Sequence, residues 1–309
     1  MRILQALMST VHYSICPVCG SAAINPLLTV RDHSVSGESF VIWQCSDCTL
    51  RFTQDAPDEA SIAPYYQSPD YISHSNTRKG LVNQLYQEVR NYTLNQKASL
   101  IDRSTGEKGR VLDLGAGTGA FLNTMKKKGW QTIGLEPDAG ARAQAQQLYN
   151  LELGELHDLD RLTENSFDAV TLWHVLEHVH QLHACLDRLH ALLRTGGKLF
   201  IAVPNYQSLD GQAYKLFWAA YDVPRHLYHF TPRSMETLMQ RHGFRITAKK
   251  RMWFDSFYIS LLSSKYKNGR TRWLGAFLNG LRSDIRALGN KDACSSIIYI
   301  IEKDGQRSN

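Results

Sequence analysis

A glycine-rich turn constrains this chain more than any other feature. Residues 111–120 read Val-Leu-Asp-Leu-Gly-Ala-Gly-Thr-Gly-Ala, so a short apolar run is followed by three alternating glycines. The apolar run predicts a buried strand, and residues 121–128 predict the start of an amphipathic helix. Glycines at such a turn let the backbone bend sharply and let a ligand lie against bare main chain. The unit therefore predicts a ligand site at the carboxyl edge of a parallel sheet.

Two cofactors fit that turn. Gly115-x-Gly117-x-x-Ala120 satisfies the dinucleotide fingerprint, and Glu136 follows at the distance expected of a ribose-binding acid. Asp113 favours a different ligand, because a carboxylate at the strand end repels a pyrophosphate and suits a cation. The pattern Asp113-Leu-Gly-x-Gly-x-Gly resembles motif I of class I S-adenosylmethionine (SAM) methyltransferases.

The resemblance implies roles for individual residues. In that family the first acid and the glycine loop hold the methionine end of SAM, and an acid after the second strand holds the ribose hydroxyls. These roles fall to Asp113 and Glu136. The remaining candidate cofactor-binding residues are Gly115, Ala116, Gly117, Gly119, Pro137, Glu155, Trp173 and His174.

Beyond residue 110 the pattern alternates between strands and helices. The predicted strands are 110–114, 131–135, 151–153, 168–173, 197–203, 245–251 and 296–302, and the predicted helices are 119–128, 138–147, 179–194 and 233–242. This order predicts an α/β fold with a Rossmann-like, doubly wound, mostly parallel seven-stranded sheet. A helix over residues 81–101 precedes it, as a lid over the cofactor often does in methyltransferase cores.

Three domains follow from these patterns. Residues 12–53 form a cysteine-rich ribbon, residues 54–106 a linker with the lid helix, and residues 107–309 the methyltransferase domain. The last contains a helical insertion at 255–292, before the final strand. Its apolar stripe is bordered by basic residues, which predicts either a helical cap on the core or a peripheral membrane contact.

Four cysteines predict a structural metal site. Cys16-Pro-Val-Cys19 and Cys45-Ser-Asp-Cys48 are two knuckles separated by 25 residues. Two close pairs of thiolates supply the tetrahedral sulfur ligands that structural zinc prefers, and four ligands leave no open position for catalysis. Two disulfides are the alternative, which the absence of any export signal disfavours.

The segment after the fourth predicted strand carries chemistry. His174-Val-Leu-Glu-His178 formally matches the inverted zinc-protease signature. A protease needs its two histidines one turn apart within a helix, whereas this motif lies between the end of a predicted strand and the start of a predicted helix. The segment resembles the post-strand-4 region of small-molecule methyltransferases, including quinone O-methyltransferases. The resemblance places Trp173 and His174 beside the transferred methyl group, while Glu177 and His178 orient the loop.

A second dense segment lies at residues 221–232, Tyr-Asp-Val-Pro-Arg-His-Leu-Tyr-His-Phe-Thr-Pro. It resembles a broad methyltransferase subfamily, some of whose members carry an N-terminal zinc ribbon, and the resemblance covers about residues 16–250. Histidine is the natural base near neutral pH for a hydroxyl acceptor. We rank His226 first as the base, His174 second and His229 third. The candidate catalytic set is completed by Asp222, Arg225 and Tyr71.

These features predict SAM-dependent methyl transfer to a small-molecule, glycan-linked or lipid-linked acceptor, with O-methylation favoured. No Asn/Asp-Pro-Pro-aromatic motif ends the fourth strand and no acidic metal-ligand set is evident, which disfavours base amines as acceptors and a divalent ion in catalysis. Two alternatives stay open. One is an RNA methyltransferase that uses the ribbon and the basic C-terminal region. One known rRNA guanine methyltransferase family pairs a zinc module with this core, but its last ligand pattern uses a histidine that this chain lacks at Cys45–Cys48, which disfavours that alternative. The other is a non-catalytic SAM-binding protein.

Composition bounds the remaining possibilities. No apolar run approaches the roughly 20 residues of a membrane span, and no secretory signal is evident, so we expect a cytoplasmic protein. The net charge of +6 is uneven, because residues 241–309 hold 14 Lys/Arg against 5 Asp/Glu. This surplus is either a solvated surface or an attraction to an anionic substrate, a membrane or RNA. The oligomeric state is not predicted.

Overall fold

A computed structural model describes residues 9–67 and 81–304, with backbone alone at 81–87. The strands are β1 (Thr10–Val11), β2 (Ile24–Arg31), β3 (Ser39–Cys45), β4 (Arg51–Gln54), β5 (Ala56–Pro57), β6 (Arg110–Leu114), β7 (Gln131–Leu135), β8 (Phe167–Trp173), β9 (Leu193–Pro204), β10 (Tyr228–His229), β11 (Phe244–Arg251) and β12 (Ser296–Lys303). The α-helices are α1 (Leu81–Thr105), α2 (Ala120–Lys127), α3 (Ala139–Tyr149), α4 (Leu182–Leu192), α5 (Leu209–Tyr214), α6 (Pro232–Arg241), α7 (Asp255–Asn268) and α8 (Trp273–Gly289).

The central sheet has the strand order β11-β12-β9-β8-β6-β7. Strands β7, β6, β8 and β9 pair in parallel, and β12 is antiparallel to both of its neighbours. The sheet is therefore mostly parallel, as predicted. Within the described residues it has six strands rather than the predicted seven, because the predicted strand at 151–153 is reduced to one bridge between Leu135 and Gly154. The chain leaves the sheet edge at Glu155, which begins a 3-10 turn.

Helices cover both faces of this sheet. One face carries α1, α2 and α3, which bury Ile101, Phe121, Met125 and Ala145 against it. The other face carries α4 and α6, whose leucines and methionines are buried in a second cluster. The doubly wound arrangement is confirmed, and it follows from apolar stripes at helical spacing along each helix.

The cysteine ribbon shares its sheet with the methyltransferase region. Its four antiparallel strands have the order β10-β4-β3-β2. Strand β10 comes from the loop after β9 and pairs Tyr228 with Phe52 and His229 with Arg51. The loop that holds the predicted catalytic histidines is therefore one edge of the ribbon. The domain boundaries at residues 53 and 106 stay a prediction.

The insertion before the final strand forms α7 and α8. Helix α8 buries its small residues and exposes its large apolar ones. Gly280 packs against Phe257 of α7, where an added Cβ atom would lie 2.8 Å from the ring. On the opposite side Trp273 is 69% exposed and Leu274 is 74% exposed. None of the helices in the described ranges is both long and apolar enough to cross a bilayer.

Candidate active site

The glycine turn follows β6 and closes against the end of β7. Gly115, Gly117 and Gly119 have φ angles of +70°, +53° and +74°, the left-handed region that favours glycine. The Gly115 amide donates to the Leu135 carbonyl at 2.8 Å. A Cβ atom at Gly115 would lie 2.5 Å from Val175 Cγ2, whereas one at Gly117 would meet no atom within 4 Å. Packing therefore requires glycine at 115, while Gly117 faces space that a ligand can fill.

Asp113 is the first of the two predicted cofactor acids. Its carboxyl group is buried below the turn, and Oδ1 accepts a hydrogen bond from Thr171 Oγ1 at 2.5 Å. Burial raises the pKa of Asp113 to about 7, although the Thr171 hydrogen bond and the charge of Lys97 oppose this. A carboxyl group in this state ionises when a cation approaches, because the cation compensates for the lost hydration.

Glu136, the second predicted acid, follows β7 directly and is 8% exposed. Its carboxylate accepts hydrogen bonds from the Gly117 amide at 2.7 Å and from the Asp138 amide at 3.0 Å. Burial raises the pKa of Glu136, and these amide hydrogen bonds oppose the rise. The structure therefore brings both acids to the glycine turn, as the SAM hypothesis requires.

Three further predicted cofactor residues lie around the same turn. The buried Ala116 donates its amide to the Leu135 carbonyl at 3.0 Å. Pro137 and Glu155 both bind Arg142 of α3, through the Pro137 carbonyl at 2.8 Å and the Glu155 carboxylate at 2.8 Å. Arg142 thus joins the loop after β7 to the segment after the bridge strand. The roles of these residues toward a cofactor stay predictions.

Trp173 and His174 stand where β8 ends. The Trp173 ring packs edge-on against Phe121 with centroids 5.4 Å apart. His174 has a φ of +58° and lies between two carboxylates, with Nδ1 3.3 Å from Glu177 and Nε2 3.5 Å from Asp255. Burial alone would lower the pKa of His174, but these carboxylates raise it. A non-glycine residue in the left-handed region at a crevice marks a constrained position.

Lys97 is a site residue that the sequence did not reveal. Its Nζ atom lies over the Trp173 ring, 4.4 Å from the centroid. Burial lowers its pKa to about 8, and the charges of Asp255 and Asp113 oppose this. The periodicity of α1 predicted a helix, but no local signal distinguished this lysine from the exposed charges beside it. Asp255 was missed for the same reason.

A buried cluster of Glu177, His178 and His226 adjoins His174. One ligand-type atom from each residue lies within 4.8 Å of the others. His178 Nδ1 lies 3.0 Å from the Arg225 carbonyl, and His226 Nδ1 lies 2.8 Å from the Ala220 carbonyl. Because a carbonyl only accepts, each Nδ1 carries the hydrogen and each Nε2 keeps its lone pair. Such a set can take up a proton or hold a cation.

The same cluster explains the His-x-x-Glu-His pattern. Residues Leu176–His178 form a 3-10 turn, and regular helix begins only at Leu182. Glu177 is fully buried; Oε1 faces His174, and Oε2 has no hydrogen-bond partner in the described structure. Although burial opposes it, the neighbouring histidines hold the pKa of Glu177 below its usual range. The geometry is that of a carboxylate between histidines, without the helical spacing of a protease.

Arg225 and Asp222 lie in the ribbon contact. Arg225 is 1% exposed and donates to Asp222 at 2.7 Å, to Asp32 at 3.0 Å and to the Tyr65 carbonyl at 2.7 Å. With its donors engaged in this way, the guanidinium clamps the loop onto the ribbon. Asp222 also lies 4.0 Å from His226 Nε2, and the catalytic roles of Arg225 and Asp222 stay predictions.

His229 and Tyr71 complete the predicted catalytic set. His229 is buried in β10, where Nε2 lies 3.2 Å from Thr53 Oγ1. Burial lowers its pKa well below the usual value, which favours the neutral imidazole. His229 thus contacts the ribbon strand β4, and its catalytic role stays a prediction. Tyr71 lies outside the described residues.

The four ribbon cysteines converge on one point. The Sγ atoms of Cys16 and Cys48 are 3.5 Å apart, as are those of Cys19 and Cys45. All four sulfurs lie within 4.8 Å of one another, and all four thiols are free. The spacing contradicts a pair of disulfides and fits a single tetrahedral metal ion.

Sequence comparison identifies relatives of the central region. Residues 86–249, more than half of the chain, match the protein family described as "Methyltransferase domain". The ubiquinone biosynthesis O-methyltransferase of Xanthomonas axonopodis pv. citri (strain 306) is 36% identical over 106 residues, or 31% of this chain and 43% of that protein. Its namesake from Nitrobacter winogradskyi is 26% identical over 165 residues, or 48% of this chain and 61% of that protein. The chain thus spans about half the length of the curated relatives it matches.

Solved structures share the fold at low sequence identity. Magnesium protoporphyrin IX methyltransferase from Synechocystis PCC 6803 aligns with 80% of this chain and 100% of its own, at 15% identity and a TM-score of 0.52. Phosphoethanolamine N-methyltransferase 2 of Haemonchus contortus aligns with 83% of this chain and 63% of its own, at 15% identity and a TM-score of 0.51.

The fold, the glycine turn and its two buried acids define a class I SAM-dependent methyltransferase. The chain belongs to the methyltransferase domain family, and the matched region runs from α1 into β11.

Proposed function

We propose that this protein transfers the methyl group of SAM to a hydroxyl oxygen of a small-molecule acceptor, free or linked to a glycan or lipid. The observation that carries the proposal is the exposed main chain at Gly117 between the carboxylates of Asp113 and Glu136. Bound SAM would supply an activated methyl group on a sulfonium. The protein then has to hold the acceptor in line and remove its proton.

Hydroxyl acceptors are favoured by the relatives. Several of the curated relatives carry the name ubiquinone biosynthesis O-methyltransferase. An acceptor hydroxyl must lose its proton as the new carbon–oxygen bond forms, so the site needs a base.

We propose His226 as that base. Its Nδ1 hydrogen is fixed on the Ala220 carbonyl, which leaves the Nε2 lone pair to accept the acceptor's proton. The resulting imidazolium would face the buried carboxylate of Glu177 and the partly buried carboxylate of Asp222, which stabilise it. His174 shares Glu177 and is the second candidate.

SAM affinity should depend on pH through Asp113. Because its pKa is raised to about 7, the free protein binds a proton there that a cationic ligand must displace. The affinity should therefore weaken about tenfold for each pH unit below 7 and level off above it. Calorimetric titration of SAM between about pH 5 and pH 8 measures this dependence.

Asp113→Asn is the decisive variant for that dependence. It should bind SAM weakly and with a flat pH profile, whereas Glu107→Gln, at an exposed acid outside the predicted site, should retain the wild-type profile. If the SAM affinity of Asp113→Asn still depended steeply on pH, Asp113 would not be the group that couples SAM binding to pH. The stability of the SAM-free protein should depend on pH in the opposite direction. Because the pKa of Asp113 is raised in the folded state, its contribution to the free energy of unfolding is fully present below its ordinary pKa of 3.8. This contribution is lost as the pH rises through 7.

We propose that the four ribbon cysteines bind a structural zinc ion. The purified protein should carry one zinc per chain, and Cys45→Ser should lower both the zinc content and the melting temperature. Because β10 pairs with β4 of the ribbon, the His226 loop should lose order with it. Cys294→Ser, at a buried cysteine outside the cluster, is the matched control. Full zinc content in Cys45→Ser would contradict the proposal.

A further inference from the structure

A basic cavity lies between α1, β11 and β12, apart from the glycine turn. Its volume is about 710 Å³. Its 18 lining residues include no aspartate or glutamate. They include the six cationic residues Lys97, Arg103, Lys198, Lys250, Arg251 and Lys291. This concentration of one sign of charge makes the cavity a site for an anion.

Most of these cations form no ion pair with the described residues. Of the six, only Lys198 forms an ion pair within the described ranges, with Glu302. Arg251 stacks on the Trp253 ring at 4.4 Å, and its Nη1 atom is buried without a hydrogen-bond partner among the described residues. A guanidinium with an unsatisfied buried donor favours an acceptor such as phosphate, whose oxygens match its geometry.

The rest of the lining is apolar. Aliphatic side chains of Leu100, Met252 and Ile300 line it together with the aromatic rings of Tyr92 and Phe254. A cavity with many cations and an apolar surface fits a ligand that combines a multiply charged anion with a hydrophobic body. One carboxylate would leave most of the cations uncompensated, so phosphate or diphosphate is the fitting class.

One end of the cavity touches the active site. Met252 lines the cavity, and its sulfur lies 3.3 Å from His174 Nε2. Lys97 also lines it and lies over the Trp173 ring. Through these two residues the cavity adjoins Trp173 and His174 after β8, where the proposed function places the transferred methyl group.

We propose that this cavity binds the phosphate or diphosphate group of the methyl acceptor and directs the remaining part of the molecule toward Trp173 and His174. The assignment of the ligand as acceptor rests on the proposed function, whereas the anion site itself does not. A soluble phosphate ester and a lipid headgroup present the same chemistry to these cations. Helix α8 ends two residues before Lys291, and the exposed apolar side chains of Ile285 and Leu288 near that end would bring a bilayer close to the cavity.

Dodecyl phosphate below its micellar concentration is the probe, and neutral dodecyl maltoside is its comparison. The intact protein should bind the phosphate more tightly than the maltoside, and added salt should weaken the binding. Lys250→Glu with Arg251→Glu should weaken it about tenfold or more. Lys126→Glu with Lys127→Glu, which makes the same charge change on α2 outside the cavity, should leave it unchanged. Equal binding of both probes, or equal loss in both double variants, overturns the proposal.

Two further measurements distinguish a lipid headgroup from a soluble phosphate ester, and the cavity proposal from the proposed function. Flotation with phosphatidic acid vesicles that is lost in Leu288→Glu, while dodecyl phosphate binding persists, assigns the anion to a lipid headgroup. Dodecyl phosphate binding without flotation assigns it to a soluble ester. SAM affinity is measured in the same samples, and the Lys250/Arg251 variant should retain it. Failure of the wild-type protein to bind SAM would overturn the proposed function and the assignment of the ligand as acceptor, but not the anion site. Failure to bind the phosphate probe would overturn the anion site and leave the proposed function standing.

Discussion

Replacing His226 with asparagine is expected to slow methyl transfer by about 10²–10⁴-fold, the usual contribution of a general base, and to leave SAM affinity unchanged. The amide of the introduced asparagine would still donate to the Ala220 carbonyl, as His226 Nδ1 does. It has no group that can accept a proton at neutral pH. The variant therefore removes the base and keeps the hydrogen bond that positions the loop.

The rate is measured as incorporation of a radiolabelled methyl group into fractions of cell extract, with SAM affinity determined separately. His174→Asn and His229→Asn are made in parallel. We expect a smaller loss in His174→Asn, because His174 is the second candidate, and a loss of stability in His229→Asn, because His229 is buried in the ribbon sheet. A larger rate loss in His174→Asn than in His226→Asn would move the base to His174. Loss of SAM binding in His226→Asn would give His226 a folding or cofactor role.

Gly117→Ala is expected to weaken SAM binding by about 10- to 100-fold, because an added methyl group occupies the space where the cofactor meets main chain. The structure offers a matched control in Gly106, after the end of α1. Both glycines have left-handed φ angles, +53° and +78°, and an added Cβ atom meets no protein atom at either. Both alanine variants should therefore lose about 1–2 kcal/mol of stability from backbone strain.

Comparing SAM affinity between the two variants separates an effect on cofactor binding from an effect on stability. Calorimetry with SAM should show weak binding in Gly117→Ala and wild-type binding in Gly106→Ala, and denaturant unfolding should show similar stability losses. Wild-type SAM affinity in Gly117→Ala would place the cofactor elsewhere, and the assignments of Asp113 and Glu136 would then fall with it. An equal loss of affinity in both variants would attribute the effect to stability.

Much of the core fold was predictable from the sequence, because each strand and helix carries its own periodicity. The predicted strand at 151–153 was the exception. Its apolar residues match a strand, but the chain leaves the sheet at Glu155 after a single bridge. Whether an edge segment pairs over several residues depends on where the next turn begins, and the capping hydrogen bonds of Glu155 and Asp158 begin it there.

The sequence by itself determined the chemistry that depends on neighbouring residues. The glycine turn with Asp113 and the paired cysteines are local requirements of main-chain approach and ligand spacing, so they are visible in short stretches of the chain. Only the tertiary structure decided which side chains from distant parts of the chain come into contact. Lys97 of α1 lies over the Trp173 ring, and Arg225 donates to Asp32 in the ribbon, because helix orientation and strand pairing set those contacts. Such contacts join residues far apart in the chain, and no local pattern specifies the packing that brings them together.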